Sequence, residues 1–505
     1  AAMVQTIAEI NIPLNQGNLV RYAQNEELFA FVSRTRKRYI PPMWMALPAD
    51  KKHGTPDLSQ MPAKLRQRFD GTILPNSVTD RSKRVAVVLP IFEFGGVERV
   101  AFRVAKELTA KNFCVDLIVC GRNSIKIYDD FFDVFSNLYI LEDSDFNSFT
   151  SADYRGTRLP SEAIIKKMPE LTNLLLSYSI VIAHHSADAL VAASKLRQAG
   201  VIFVNYLHLI EYSDKGVAVG HPIIGEAYEH AVDVFACCSN QLSAELGALG
   251  IPRAKIVTVP NGPGGVITTA EIQRSMDARS KRRAQKLPLR VLYMGRLDRQ
   301  KGIDRLEKVI NTARELDLNI EFRIVGGYVV DNKEDAGSPT LMPLVEPPIY
   351  QARDVVNALT WADVLLLPSR FEGLPLILIE AMQLGLVPIS TDVGAVSELV
   401  RHGENGFLVQ AENVNQAFLD SLIKLSEDPT LLERLSIAAA SDSAARQWPS
   451  AVEHLLDAIA RARRVRGITA DAYRLPAANK PASGLVESQP HPVNHQTLLP
   501  GMPSF

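Results

Sequence analysis

Two stretches of this chain alternate short, continuously apolar runs with segments of helical periodicity, and a chain patterned that way has few ways to fold. The first stretch runs from Arg84 to about Pro260. It contains VAVVLP (Val85–Pro90), CVDLIVC (Cys114–Cys120), IVIAH (Ile180–His184), IFVNYL (Ile202–Leu207), VFACC (Val234–Cys238) and KIVTV (Lys255–Val259). The second, from Leu289 to about Val409, contains LRVLYMG, IEFRIVGG, DVLLLP and VPIST. An unalternating apolar run suits a strand buried on both faces, and strands separated by helices pair in parallel. ERVAFRVAKELTA (Glu98–Ala110) is one of the helical segments between the runs. The pattern predicts an α/β protein with two doubly wound, Rossmann-like domains facing a cleft. Ligands then bind beyond the carboxyl ends of the strands.

Composition shifts divide the chain further. Residues 1–81 form a Pro-interrupted extension of unknown role, with a basic patch at Arg34, Arg36, Lys37 and Arg38. Residues 82–270 make the first domain and 271–448 the second. The polar, basic segment RSMDARSKRRAQK (Arg274–Lys286) reads as the linker between them. A helix at 449–465 is expected to return to the first domain. The remainder, 466–505, is rich in Pro, Ala, Ser and His and reads as an extended tail.

The formal net charge is -1, so no global field recruits nucleic acid and any anion site must be local. Cys114, Cys120, Cys237 and Cys238 show no CxxC or Cys/His spacing, which argues against a disulfide framework or a zinc site and fits a reducing compartment. There is no apolar run long enough for a membrane-spanning helix, and the start AAMVQTIAEI lacks the pattern of a secretory signal. A cytoplasmic protein is expected.

The most specific segment is ADVLLLPSRFEGLPLILIEAMQLGLVPISTDVGAVSELV, residues 362–400. A strand ends at Pro368, a tight loop follows, Pro375 suits the first helical position, and Gly385 ends the helix. Amides around Gly373, Leu374 and Leu376 then point out of a helix N-terminus at a sheet's carboxyl edge, where an anion such as a diphosphate binds readily. Glu372 and Glu380 frame this element. A carboxylate accepts hydrogen bonds from sugar or ribose hydroxyls. Taken alone, Glu372 also reads as a carboxylate favoured by the helix dipole, and Glu380 as a solvated helix position.

EGLPLILIEAM resembles the E-x7-E motif of the retaining GT-B glycosyltransferases grouped as family 4, and LGLVPISTDVGAVSELVRHGENGFLV resembles their continuation. The resemblance covers roughly residues 84–465. It implies that Glu380 holds the donor ribose, that Glu372 contacts the transferred sugar, and that Gly373, Leu374 and Pro375 lie on the donor. MGRLDRQKG (Met294–Gly302) joins a strand to a helix and carries Gly295, Arg296 and Lys301. Two cations there are placed to offset charge growing on a departing diphosphate, and the stretch resembles the family's G-R-x4-K-G phosphate clamp. Asp298 reads as a loop or cap carboxylate.

FEFGGVER (Phe92–Arg99) places Gly95 and Gly96 after the first strand, without a dinucleotide fingerprint. In the family such a loop faces the donor, while Glu98 reads as a first-turn helix carboxylate. His208, at a strand end, matches the family's histidine beside the transferred sugar. His184 and His185 either line the acceptor side or are structural. Asn261–Gly262 and ARQWPSAVEHLLDAIARARR resemble the two domain crossings, although Pro263 and Gly264 depart from the family's usual sequence. The closing RARRVR is either a solvated basic face or a peripheral contact with anionic lipid.

These residues imply a nucleotide-diphosphate sugar, UDP- or GDP-linked, as donor and a glycan or lipid-linked acceptor. No clustered Asp-x-Asp offers a metal site, so neither metal nor other cofactor is expected. A hexosyltransferase of cell-surface polysaccharide assembly is the leading reading. A GT-B epimerase, a phosphorylase and a non-catalytic scaffold subunit are the alternatives.

Overall fold

The computed structural model describes residues 8–11, 81–92, 95–120, 124–127, 131–140, 153–154, 157–158, 171–212, 216–327, 341–410 and 413–469. The basic patch at Arg34–Arg38 and the tail beyond 469 lie outside the described residues. Of the N-terminal extension, Ala8–Asn11 forms a short strand paired antiparallel with Ser124–Ile127.

The first domain contains β1 (Arg84–Leu89), α1 (Gly96–Ala110), β2 (Cys114–Val119), β3 (Asn137–Ile140), β4 (Ile180–His184), α2 (Ala187–Gln198), β5 (Ile202–Leu207), α3 (His221–Ala227), β6 (Val234–Cys237), α4 (Asn240–Ala248) and β7 (Ile256–Thr258). Its seven strands are all parallel, in the order β7-β6-β5-β4-β1-β2-β3. The second domain contains α5 (Thr269–Ala284), β8 (Leu289–Met294), α6 (Ile303–Glu315), β9 (Ile320–Val325), β10 (Val345–Glu346), α7 (Ala352–Trp361), β11 (Val364–Leu367), α8 (Leu376–Gln383), β12 (Val387–Thr391), β13 (Phe407–Val409), α9 (Val414–Glu427) and α10 (Pro429–Ser443). Its six parallel strands run β10-β9-β8-β11-β12-β13. The chain ends its described part in α11 (Trp448–Val465).

The central strands feed two cores, which is why their runs are largely apolar. Val85, Val87 and Leu89 pack with α1 and α11, while Ala86 and Val88 face the opposite layer with α2. In β11, Val364 and Leu366 point to one layer and Leu365 and Leu367 to the other. Each such Val or Leu side chain contributes about 1.5–3 kcal/mol of burial.

The expected linker is a helix. Thr268 and Glu271 form a reciprocal capping box at the start of α5. Arg279 is fully buried and donates to the Ala362 carbonyl at 2.7 Å and to Ser275 Oγ at 2.8 Å. Burial lowers the Arg279 pKa to about 9. A polar sequence hid this helix because the residues it buries most fully, Ser275 and Arg279, are themselves polar.

Strand order places the site. In the first sheet the chain moves outward from β1 through β2 to β3, then in the other direction from β4 to β7, so its crevice opens between β1 and β4. In the second sheet the corresponding switch lies between β8 and β11. The loops leaving β8 and β11 carry Arg296, Lys301 and Glu372, at the position where open α/β sheets bind ligands.

Candidate functional site

The loop after β8 is shaped by its own carboxylate. Asp298 Oδ1 accepts the Lys301 amide at 2.9 Å, and Gly302 adopts a left-handed φ of +73°. A Cβ at Gly302 would lie 2.0 Å from the Pro368 carbonyl, so glycine is required for this loop to press on the end of β11. The two loops are then joined by bonds between Arg370 N and the Gln300 carbonyl at 2.7 Å and between Arg370 Nη1 and the Arg299 carbonyl at 2.8 Å.

Within that frame, Lys301 Nζ lies 2.7 Å from Glu372 Oε1, which also accepts from Ser369 Oγ at 2.7 Å. Glu372 is buried, whereas half of the Arg296 side chain is exposed. Arg296 folds onto its own loop, with Nη2 at 2.8 Å from Gln300 Oε1 and Nη1 at 3.1 Å from Asp298 Oδ2. Lys301 and Glu372 are therefore brought together, while Arg296 stands beside them on the solvent side.

Glu380 is buried at 2% exposure, so the solvated-position reading is overturned. Pro375 takes the cap position just before α8, and Gly385 follows the helix with φ +78°. Glu380 Oε1 accepts the Gly265 amide at 2.7 Å, and Oε2 is buried with no hydrogen-bond partner. Burial raises its pKa, opposed by Arg99, the Gly265 amide, Arg103 and the Gly264 amide. Arg103 Nε also donates to the Gly264 carbonyl at 2.6 Å. Arg99, Arg103 and the 264–265 turn are contributors that sequence reasoning missed, since only the tertiary fold lays α1 and the domain crossing over α8.

The two domains touch at Gly373. A Cβ there would lie 1.9 Å from the His208 carbonyl, which also accepts from Cys238 Sγ at 3.0 Å. Asn261 Nδ2 donates to the Leu374 carbonyl at 2.9 Å. Trp448 Nε1 donates to the Pro263 carbonyl at 2.7 Å, so the outgoing and returning crossings meet.

On the first domain's side, four histidines cluster. His208 Nε2 lies 3.0 Å from His184 Nδ1, and the His208 amide donates to His185 Nε2 at 2.9 Å. His185 has a left-handed φ of +48° and stacks on His221, with centroids 4.7 Å apart. Burial is the largest cause holding all four below the usual imidazole range, to about 3 for His184 and about 4 for His221. They are neutral at pH 7. Gly95 caps α1 and Gly96 begins it, with the Glu98 carboxylate folded back over Gly95. Glu93 and Phe94 lie outside the described residues.

His208, Glu372 and Gly373 border a pocket of about 190 Å³ between the domains. Among the described residues, no group of three or more His, Cys, Asp or Glu is arranged to hold a metal ion. No described helix is long and apolar enough to cross a membrane. The described cysteines are all free thiols. In RARRVR, Arg463 reaches Ser179 Oγ at 3.4 Å and Arg466 bonds Asp233 at 3.0 Å, so these two guanidiniums are engaged by the first domain.

Comparison with known proteins agrees with this arrangement. Residues 94–263 match the model for Glycosyltransferase Family 4, and residues 276–442 match that for Glycosyl transferases group 1. The chain is 27% identical over 304 residues to D-inositol 3-phosphate glycosyltransferase 1 of Catenulispora acidiphila, covering 55% of this chain and 71% of that protein. It is 28% identical over 254 residues to the putative colanic acid biosynthesis glycosyltransferase WcaL of Salmonella typhimurium, covering 48% of this chain and 60% of that protein. Among solved structures, Anabaena HepE in complex with UDP and glucose superposes with a TM-score of 0.58 at 14% identity, covering 75% of this chain and all of that one. With a family model on each Rossmann-like domain and both switch points facing one cleft, the chain belongs to the family 4, group 1 glycosyltransferases of the GT-B fold.

Proposed function

We propose that the protein is a retaining, metal-independent hexosyltransferase. Its donor is a UDP- or GDP-linked sugar, its acceptor a glycan or lipid-linked saccharide, and its setting cell-surface polysaccharide assembly, as the name of the WcaL relative suggests. One observation carries the reading: the Lys301 ammonium and the Glu372 carboxylate converge at the switch point of the second sheet, against the first domain.

In the reaction the bond from the anomeric carbon to the diphosphate oxygen breaks, and negative charge grows on the leaving group. Lys301 and Arg296 offset that charge from fixed loops, without reorganisation during the step. Glu380 presents a buried acceptor oxygen suited to a ribose hydroxyl. Glu372 accepts from a hydroxyl of the transferred sugar once a ligand phosphate competes for Lys301. His208, neutral and held by His184, offers a ring nitrogen to the same sugar. The acceptor oxygen bonds to the anomeric carbon on the face the diphosphate leaves, and its proton passes to the departing phosphate. Closure of the two domains excludes water.

The test is a panel of nucleotide sugars followed for slow hydrolysis by mass spectrometry, with and without EDTA. One UDP- or GDP-sugar is expected to be cleaved, EDTA is expected to change nothing, and the matching nucleotide at ~100 times its Kd should stabilise the fold by about 2.7 kcal/mol. Epimerised donor without hydrolysis, a requirement for inorganic phosphate, or binding without turnover would support an epimerase, a phosphorylase or a scaffold subunit instead.

A further inference from the structure

The interdomain pocket has chemistry of its own. Arg296, Lys301, Glu380 and the 264–265 turn do not line it. It shares only His208, Glu372 and Gly373 with the residues assigned above, and its remaining wall comes from the segment after β5, the start of α4 and the loops at 370–371 and 393–395. It therefore begins at the reacting end of the donor site and extends away from the diphosphate groups.

Its polar side chains stand together on one wall. Gln241 Nε2 donates to Glu245 Oε1 at 3.1 Å, and Tyr212 lines the pocket with them, near enough to the Glu245 carboxylate for burial and that charge to raise its phenol pKa. Tyr212 is 41% exposed, so its ring remains open at the mouth, and Phe371 adds a second aromatic surface. Amide, carboxylate and phenol beside aromatic rings suit a ligand with hydroxyls on its edges and apolar C–H faces.

The charges decide between two kinds of such ligand. Arg370 is the one Lys or Arg among the lining residues, and both its terminal nitrogens are held by Asp304, at 2.8 and 2.9 Å. Glu372 is matched by Lys301. The two ion pairs cancel, which leaves the Glu245 carboxylate. His208 adds no positive charge at neutral pH. The start of α4 offers no anion site, because its Gln241 amide already donates to Glu398 Oε1 at 2.7 Å and Ser239 Oγ accepts the Leu242 amide at 3.1 Å. Among the described residues, a phosphate entering this pocket meets a carboxylate and no uncommitted cation.

Resting on the transferase reading above, we infer that this pocket takes the acceptor, and that the acceptor's reacting end is an uncharged sugar rather than a phosphorylated polyol. Tyr212, Gln241 and Glu245 select it by hydrogen bonds and ring contact.

The experiment uses the full chain as wild type, Tyr212→Ala, Glu245→Gln and Glu245→Lys. The donor is the nucleotide sugar that wild type hydrolyses, and the acceptors are neutral methyl hexosides and neutral oligosaccharides set against glucose 6-phosphate and inositol 3-phosphate. Wild type is expected to glycosylate neutral acceptors in preference to the phosphates. Tyr212→Ala and Glu245→Gln should raise the neutral acceptor's KM by about tenfold and lower the ratio of transfer to hydrolysis. Glu245→Lys should shift preference toward the phosphates. Use of phosphorylated acceptors alone, use of no neutral acceptor, or an acceptor KM unchanged in all three variants would overturn the inference while leaving donor hydrolysis to support the transferase reading. Absence of hydrolysis in wild type would instead remove that reading, and this inference with it.

Discussion

Lys301→Ala is expected to lower turnover by about 10²–10³-fold, the loss typical of removing one preorganised group that stabilises transition-state charge. The geometry makes the effect specific. Lys301 is held on a loop whose shape depends on Asp298 and Gly302, and its ammonium reaches the point where the second sheet meets the first domain. The same substitution also leaves the buried Glu372 carboxylate with Ser369 as its remaining side-chain partner in the pair. Removing one partner of a buried ion pair destabilises a fold, so thermal unfolding must accompany the kinetics. Glu372→Gln provides the control, because it keeps an acceptor for both Ser369 and Lys301 while removing the charge. Both variants should lose kcat while remaining folded, and the double variant should lose far less than the product of the single losses, since the residues act as one unit. Near-normal kcat in either folded single variant would contradict the assignment.

A second large effect is expected in acid. His184 has a folded pKa near 3, against an ordinary value of 6.5, because burial penalises its charged form. The unfolded chain therefore takes up the proton first as pH falls. The stability that neutral His184 represents is fully present above about pH 6.5 and declines as pH drops toward the folded value. For this one group the loss at pH 5 is about 2 kcal/mol. His185, His208 and His221 shift the same way, and burial is the first cause in each. Asp188, at the start of α2, works in the opposite direction, since burial lifts its carboxyl to about 7 and the folded state then gains stability as pH falls. The measurement is accordingly a difference: urea unfolding of wild type and His184→Gln at pH 7 and pH 5. The variant should lose about 2 kcal/mol less than wild type over that interval. Equal losses would mean that His184 is not buried neutral.

Much of this was legible before the structure. The central strands stood out because a parallel strand covered on two faces has few polar positions to blur it, as in Ile180–His184, where every residue is buried and His184 alone is polar. Loops carrying chemistry were legible for a related reason: Gly302 and Gly373 are fixed by contacts that no side chain would allow. What escaped the sequence depends on tertiary placement. Arg274–Lys286 looked like solvent-exposed linker, yet Arg279 is sealed inside by the Ala362 carbonyl. Whether Glu380 was solvated or buried stayed open in the sequence taken alone, because the turn covering it arrives from 264–265, more than a hundred positions earlier in the chain. The histidine cluster and the Tyr212–Gln241–Glu245 set join residues from different loops, and no spacing rule connects them.

The most direct test is a crystal structure of the protein with its nucleotide sugar bound. The account predicts the diphosphate within hydrogen-bonding reach of Lys301 and Arg296, with the ribose at Glu380 and the sugar between Glu372 and His208. A nucleotide sugar seated away from the loops after β8 and β11 would contradict it.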